Sequence, residues 1–202
     1  MTVSRETAFG DRLPIAEHYA ALLAGPGVER GLIGPREVDR LWERHLINCV
    51  APVSRVPQGA SVADIGSGAG LPGLVWAIAR PDLSVTLIEP LLRRTTFLEE
   101  AVQELGLSNV RVVRSRAEDV RDRFDIVTSR AVAALDKLAR WSMPLVAPGG
   151  WMLALKGRSA ADEVAAARAT LKRLGAGDIV VATYGDDWGM EIPTTVVEVQ
   201  RH

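Results

Sequence analysis

Ser61-Val62-Ala63-Asp64-Ile65-Gly66-Ser67-Gly68-Ala69-Gly70-Leu71-Pro72-Gly73 is a short apolar run ending in an acidic residue, then glycine at every second position, then a proline that opens an apolar pattern of helical spacing. This order reads as strand, tight turn and helix. Backbone without Cβ takes positive φ and lets a ligand come close to the main chain. The helix that follows turns unpaired N–H groups toward the same place. The turn is therefore a candidate nucleotide site, and its flanks decide which kind.

The stretch from Gly68 to Gly73 is a literal G-x-G-x-x-G, which by itself would point to a dinucleotide such as NAD. Two details favour another ligand. Asp64 stands two residues before Gly66, and Pro72 interrupts the helix start that would cradle a pyrophosphate. Asp64-x-Gly66-x-Gly68-x-Gly70 resembles the turn of S-adenosylmethionine (AdoMet) methyltransferases, whose ligand carries no phosphate. NAD and a purely structural glycine turn remain as alternatives at this point.

The 202 residues suit one well-buried α/β domain with a small appendage. No internal repeat or low-complexity tract interrupts them, and 48% hydrophobic with 24% charged residues is ordinary for a folded globular chain. Met1-Thr2-Val3-Ser4-Arg5-Glu6 has no apolar core of a signal peptide, and no apolar run approaches the ~18 residues of a membrane span. A cytoplasmic protein without membrane attachment is expected. The single cysteine, Cys49, excludes an internal disulfide and a cysteine-cluster metal site, and it reads as a buried residue rather than a nucleophile. No metal is expected.

A net charge of −1 argues against a protein that coats nucleic acid by bulk charge, while leaving room for a local basic face. The basic residues are almost all arginine, with lysine only at Lys137, Lys156 and Lys172. Arginine is the better fork for phosphate, and a GC-rich genome would give the same bias.

In chain order, helical spacing predicts helices over 11–24, ended by Gly25-Pro26-Gly27, and from Pro35 to Val50. Residues 1–57 read as a helical cap laid against a domain of residues 58–202. After the glycine turn a crossover helix runs through Leu74 to Ala79, and strand 84–88 ends in Glu89, 23 positions beyond Gly66. An acidic residue at that strand tip is placed to bind both hydroxyls of a ribose. A helix over 91–106, a strand over 110–114 and the loop Ser115-Arg116-Ala117-Glu118-Asp119 follow. There a backbone amide and a carboxylate can serve an adenine, although a solvated charge run would look the same. Strand 124–129 leads through Arg130 into a helix over 131–146; strand 151–155 ends in Lys156, and a helix covers 160–174. Strands 179–183 and 194–199, joined by a loop too short for a crossover helix, should be antiparallel. The expected architecture is the Rossmann-like, class I AdoMet-dependent methyltransferase fold: a seven-stranded sheet with an antiparallel last strand, helices on both faces and the N-terminal helical cap.

Arg44-His45-Leu46-Ile47-Asn48, the glycine turn with its Asp64, Ser115-Arg116-Ala117-Glu118, Ser129-Arg130-Ala131 and Ala154-Leu155-Lys156-Gly157 together resemble the bacterial small-subunit ribosomal RNA guanine-N7 methyltransferase family, once called glucose-inhibited division protein B. The resemblance covers nearly the whole chain from the second helix onward. It implies AdoMet as cofactor and 16S ribosomal RNA or the small ribosomal subunit as partner; a monomer is expected. It also implies cofactor contacts at Gly66, Leu71, Ala117, Glu118 and Arg130, beside Asp64, Gly68, Gly70 and Glu89 from the residue reading. Two positions depart from the pattern: Asn48 stands where many members have aspartate, which puts an acidic role there in doubt, and Val75-Trp76 replace a Pro-Leu pair.

Chemistry offers an independent check. The tetrapeptide after the fourth strand is Thr128-Ser129-Arg130-Ala131, not the Asn/Asp-Pro-Pro-aromatic motif of enzymes that methylate an exocyclic adenine amine. Cys49 lies on a predicted helix away from the strand-end loops, so a cysteine nucleophile for carbon-5 methylation of cytosine is missing. Guanine N7 offers a lone pair and no proton, so direct in-line transfer needs alignment rather than a base. Arg130, with Lys156, Arg44 and His45 as lesser candidates, is expected to position guanine or a phosphate; for His45 alone, packing is the plainer reading. A small-molecule methyltransferase and a non-catalytic AdoMet-binding RNA protein remain as alternatives.

Overall fold

The computed structural model describes residues 4–202; Met1–Val3, part of the segment read for a targeting signal and of the expected cap, lie outside the described residues. Seven strands form one sheet: β1 Ser61–Ile65, β2 Ser84–Ile88, β3 Val110–Val113, β4 Phe124–Arg130, β5 Val146–Lys156, β6 Ala176–Tyr184 and β7 Thr194–Arg201. Their spatial order is β3-β2-β1-β4-β5-β7-β6. β1 is parallel to both β2 and β4, with Ile65 beside Ile88 and Asp64 beside Thr128. β7 inserts antiparallel between β5 and β6, as the short connection requires.

The strand period of two separates two cores. Val62, Leu87, Ile126, Leu153 and Val196 face one side of the sheet; their neighbours Ala63, Ile88, Val127, Ala154 and Val197 face the other. On the first side lie α4 Gly73–Ala79 and α5 Leu92–Glu104, together with the N-terminal segment, which begins with α1 Arg5–Phe9 and α2 Leu13–Leu22 and includes the short α3 Asn48–Val50. Tyr19, Leu23, Leu41 and Leu46 of that segment share a core with Leu74 and Trp76. Trp76, one of the departures from the family pattern, is fully buried and its indole N–H donates to the Cys49 carbonyl at 2.6 Å. α6 Leu135–Ser142 and α7 Ala160–Arg173 cover the other side.

Three local expectations are corrected. The first helix does not stop at Gly25-Pro26-Gly27; it widens into a π-helical turn, Leu23–Gly27, that accommodates Pro26 without its N–H. The segment from Pro35 to Val50 is not a regular α-helix: 3₁₀ turns over Pro35–Arg40 give way to a π-helical stretch over Leu41–Ile47 and one α turn. The helix expected over 131–146 begins only at Leu135 and ends at Ser142. Ala131 takes a φ of 52°, which no helix can use, and Pro144 sits in a 3₁₀ turn that feeds β5.

Candidate functional site

The sheet order reverses between β1 and β4, and ligands of such sheets bind beyond the carboxyl ends of the strands at that point. A cleft of about 700 Å³ opens there. Its walls are the glycine turn, the tip of β2 with Glu89, the loop after β3 with Ala117 and Glu118, the tip of β4 with Arg130, and His45 from the N-terminal segment. Of the residues expected from the sequence, Gly66, Gly68, Leu71, Glu89, Ala117, Glu118, Arg130 and His45 line it together.

Gly66, Gly68 and Gly70 take φ of 65°, 60° and 101°. The turn is closed by Gly66 N–H to the Ile88 carbonyl at 2.8 Å and Gly70 N–H to the Ser67 carbonyl at 2.7 Å. Asp64 and Gly70 stand behind this wall. The Asp64 side chain is fully buried; Oδ2 accepts from the Gly73 N–H at 3.0 Å and ties the strand to the start of α4, while Oδ1 has no partner. Burial, opposed by the Gly73 hydrogen bond, pushes the Asp64 carboxyl up to about 7.

Glu89 is also buried. Its Oε2 accepts from the Gly68 N–H at 3.0 Å and its Oε1 from the Leu91 N–H at 3.1 Å. The carboxylate thus ties the glycine turn to the tip of β2 and the start of the chain that follows it. Glu118 is exposed on a 3₁₀ turn whose Ala117 is buried.

Arg130 is held by the N-terminal segment. Its guanidinium donates to the Arg44 carbonyl at 3.1 Å, to His45 Nδ1 at 2.8 Å and to Cys49 Sγ at 3.0 Å. Cys49 is buried as expected, and burial pushes its thiol up. The Arg44 side chain pairs instead with Glu37 at 3.2 Å, and Arg44 contributes its carbonyl rather than its charge to the neighbourhood of the cleft. Lys156 lies outside the lining: its ammonium donates to the Ala133 carbonyl at 2.6 Å and to Glu163 at 2.7 Å, fastening the chain between β4 and α6 to α7.

Two participants were not expected from the sequence. Tyr19, fully buried, donates its hydroxyl to the Ala69 carbonyl at 2.8 Å and braces the glycine turn from behind. A tyrosine within a helical apolar pattern needs such a partner, but the pattern does not say which. Glu37 accepts from His45 at 2.9 Å; its place in an irregular 3₁₀-to-π segment hid the pairing.

The residues fit AdoMet. Gly68 has open space where a Cβ would stand, with only the Gly66 carbonyl oxygen within 4 Å, and this cradle lies beside the Glu89 carboxylate. An acid for ribose hydroxyls, a bare backbone turn and a partly apolar wall match the parts of that cofactor. Among the described residues no cluster of three or more His, Cys, Asp or Glu could hold a metal ion, and no helix is long and apolar enough to cross a membrane.

Comparison with known proteins gives the family and the fold. The chain is 57% identical, over all of its length and 86% of the relative's, to the ribosomal RNA small subunit methyltransferase G of Salinispora arenicola. It is 58% identical to that of Mycolicibacterium smegmatis, with 96% of this chain and 83% of the relative covered. The solved structure of the S-adenosylmethionine-dependent methyltransferase SibL shares the fold, with a TM-score of 0.64 at 20% identity over 91% of this chain and 61% of that one. The model of the GidB family, described as rRNA small subunit methyltransferase G, matches residues 12–187, and the chain belongs to this family.

Proposed function

We propose that the protein transfers a methyl group from AdoMet to N7 of a guanine in 16S ribosomal RNA. The observation that carries this reading is the extent of the family match. Residues 12–187 take in every wall of the cleft, from His45 to Glu89, Glu118 and Arg130, and Tyr19 behind the glycine turn.

AdoMet, when bound, supplies an electrophilic methyl on a sulfonium. Glu89 accepts from the ribose hydroxyls, and Gly66, Gly68 and Leu71 let the ligand lie against the main chain, with Asp64 and Gly70 shaping the turn from behind. Ala117 and Glu118 flank the adenine. Arg130 stands where guanine or a neighbouring phosphate enters, and no proton need be moved because N7 carries none. Arg44 and Lys156 serve this arrangement through the carbonyl and the loop they hold. Residues 1–57 act as a cap on the domain of residues 58–202, sharing its core. The protein works as a cytoplasmic monomer without a metal or a membrane.

The test is chemical. N7 alkylation leaves a positively charged purine, so small-subunit RNA from cells lacking the gene, once treated with the protein and AdoMet, should become cleavable by borohydride followed by aniline at one guanine. Methyl label that resists this cleavage and resides on an exocyclic amine or a ribose overturns the N7 assignment.

A further inference from the structure

Arg130 faces an unusual set of partners. Every acceptor of its guanidinium comes from residues 44–49, and among the described residues none is a carboxylate. Its positive charge is therefore placed by neutral atoms and stays available to an anionic or electron-rich ligand in the cleft.

The shortest of these contacts, 2.8 Å to His45 Nδ1, fixes the state of the imidazole. A guanidinium can only donate, so Nδ1 must present its lone pair; a neutral ring then carries its proton on Nε2. That nitrogen lies 2.9 Å from Glu37 Oε2, which accepts it. The side chain of His45 is only 11% exposed, whereas that of Glu37 is 30% exposed, so the acid end of the chain meets water and the arginine end meets the cleft.

We infer that Glu37 is a positioning residue: through His45, held with its proton on Nε2, it fixes Arg130 at the wall of the cleft for methyl transfer. The inference rests on the methyltransferase reading for its kinetic consequence and on the hydrogen-bond geometry alone for its spectroscopic one.

The same geometry makes the arrangement sensitive to acid. A second proton on His45 would sit on Nδ1 and point at the Arg130 guanidinium, so the contact that holds Arg130 is lost. The charged and titratable groups facing the imidazole are Glu37, with Arg40 beside it, from the preceding 3₁₀ segment, Arg44 and Cys49 from its own stretch, and Arg130 from β4. Burial first, then Arg130 and Arg44, hold His45 below its ordinary value, and Glu37 opposes them. The neutral, Arg130-holding form is therefore the one present at neutral pH.

The experiment compares the full-length protein with Glu37→Gln and Glu37→Leu. Imidazole ¹⁵N shifts, assigned with His45→Gln, should show the wild-type ring protonated on Nε2 and unprotonated on Nδ1 at neutral pH. Glutamine can still accept from Nε2–H but no longer favours the imidazolium. Glu37→Gln should keep transfer within about threefold at neutral pH and move both the His45 titration and the acid limb of kcat to lower pH. Glu37→Leu should lose roughly ten- to a hundredfold in kcat at neutral pH, with AdoMet binding less affected, because Arg130 is misplaced. A ring protonated on Nδ1, a leucine variant as active as wild type, or an acid limb that does not move in Glu37→Gln overturns the inference. If the ring titrates as described while the wild type methylates no ribosomal RNA, the positioning chain stands and the functional reading fails.

Discussion

Glu89 accepts from the Gly68 N–H at 3.0 Å, so the acid at the tip of β2 and the middle glycine of the turn after β1 are joined directly. Since the other Glu89 oxygen is bonded to the Leu91 N–H, the carboxylate is oriented before any ligand arrives. Glu89→Ala should weaken AdoMet binding by about 1–3 kcal/mol, because a charged acceptor for ribose is lost together with the brace on Gly68. Glu89→Gln, which keeps one acceptor, should fall between it and wild type. Calorimetry with AdoMet reads the difference; unchanged affinity in the alanine variant would remove Glu89 from the site.

The glycines of the turn should separate by what they cost. A Cβ at Gly70 would lie 2.5 Å from Leu74 Cδ1 and 2.9 Å from the Tyr19 hydroxyl, on backbone at φ 101°. Gly70→Ala should therefore destabilise the fold by about 2–5 kcal/mol, from crowding added to left-handed strain. At Gly68 only the strain of φ 60° applies, about 1–2 kcal/mol, while the added methyl enters the cleft. Gly68→Ala should fold, and fail chiefly in AdoMet binding. Urea unfolding beside calorimetry distinguishes the two positions.

Asp64 predicts a pH dependence of stability with a definite sign. Its carboxyl is raised from 3.8 to about 7 in the folded protein. Between those values the folded chain holds a proton that the unfolded chain has released, so this residue makes stability fall as pH rises from about 4 to 7, and has no further effect above. The slope it can add is at most about 1.4 kcal/mol per pH unit. Asp64→Asn stays neutral and can still accept from the Gly73 N–H. Its stability relative to wild type should rise across that window, as measured by urea midpoints at several pH values; a constant difference would show that Asp64 is ionised throughout.

The sheet was legible because its signals are local. The short apolar runs of β1, β2 and β4 and the glycine spacing each specify a conformation without help from distant residues. The pairing of Glu89 with the turn followed from topology, since parallel strands bring their carboxyl ends together. What escaped depends on non-local or irregular backbone. Nothing in Ser129-Arg130-Ala131 announces that Ala131 turns left-handed, so the sequence pattern starts the helix four residues before α6 begins at Leu135. Glu37 and His45 are eight positions apart, and only the change from 3₁₀ to π-helical winding brings them together. The expectation for Lys156 failed to foresee that Ala133 and Glu163 would occupy its ammonium.

Tyr19 links the N-terminal segment to the turn, and its hydroxyl bond to the Ala69 carbonyl can be removed without changing shape. Tyr19→Phe leaves that carbonyl unpaired in a buried place, which should cost about 1–3 kcal/mol of stability. AdoMet affinity should drop as well, since the turn is no longer braced. Equal thermal midpoints and equal affinities for the two proteins would show that the bond does not hold the turn.

The last prediction concerns how a chain of net charge −1 can grip RNA. Five arginines near the carboxyl ends of the strands invite the idea of a basic face, but they are not equivalent. Arg130 is held against residues 44–49, and Arg94 lies 3.4 Å from Glu89. Arg93, Arg114 and Arg116 are exposed, with no side-chain hydrogen-bond or ion-pair partner for their guanidinium groups among the described residues. All three follow β2 or β3, on one edge of the cleft that Arg116 itself lines. They are therefore the residues expected to contact phosphate. Affinity for small-subunit RNA should fall with added salt, and Arg93→Ala combined with Arg116→Ala should lower the slope of log K against log salt by roughly 2. Arg168→Ala, an exposed arginine on α7 across the sheet, should leave that slope alone. A double variant with the wild-type slope, or a slope reduced equally by Arg168→Ala, would move the RNA to another face of the protein.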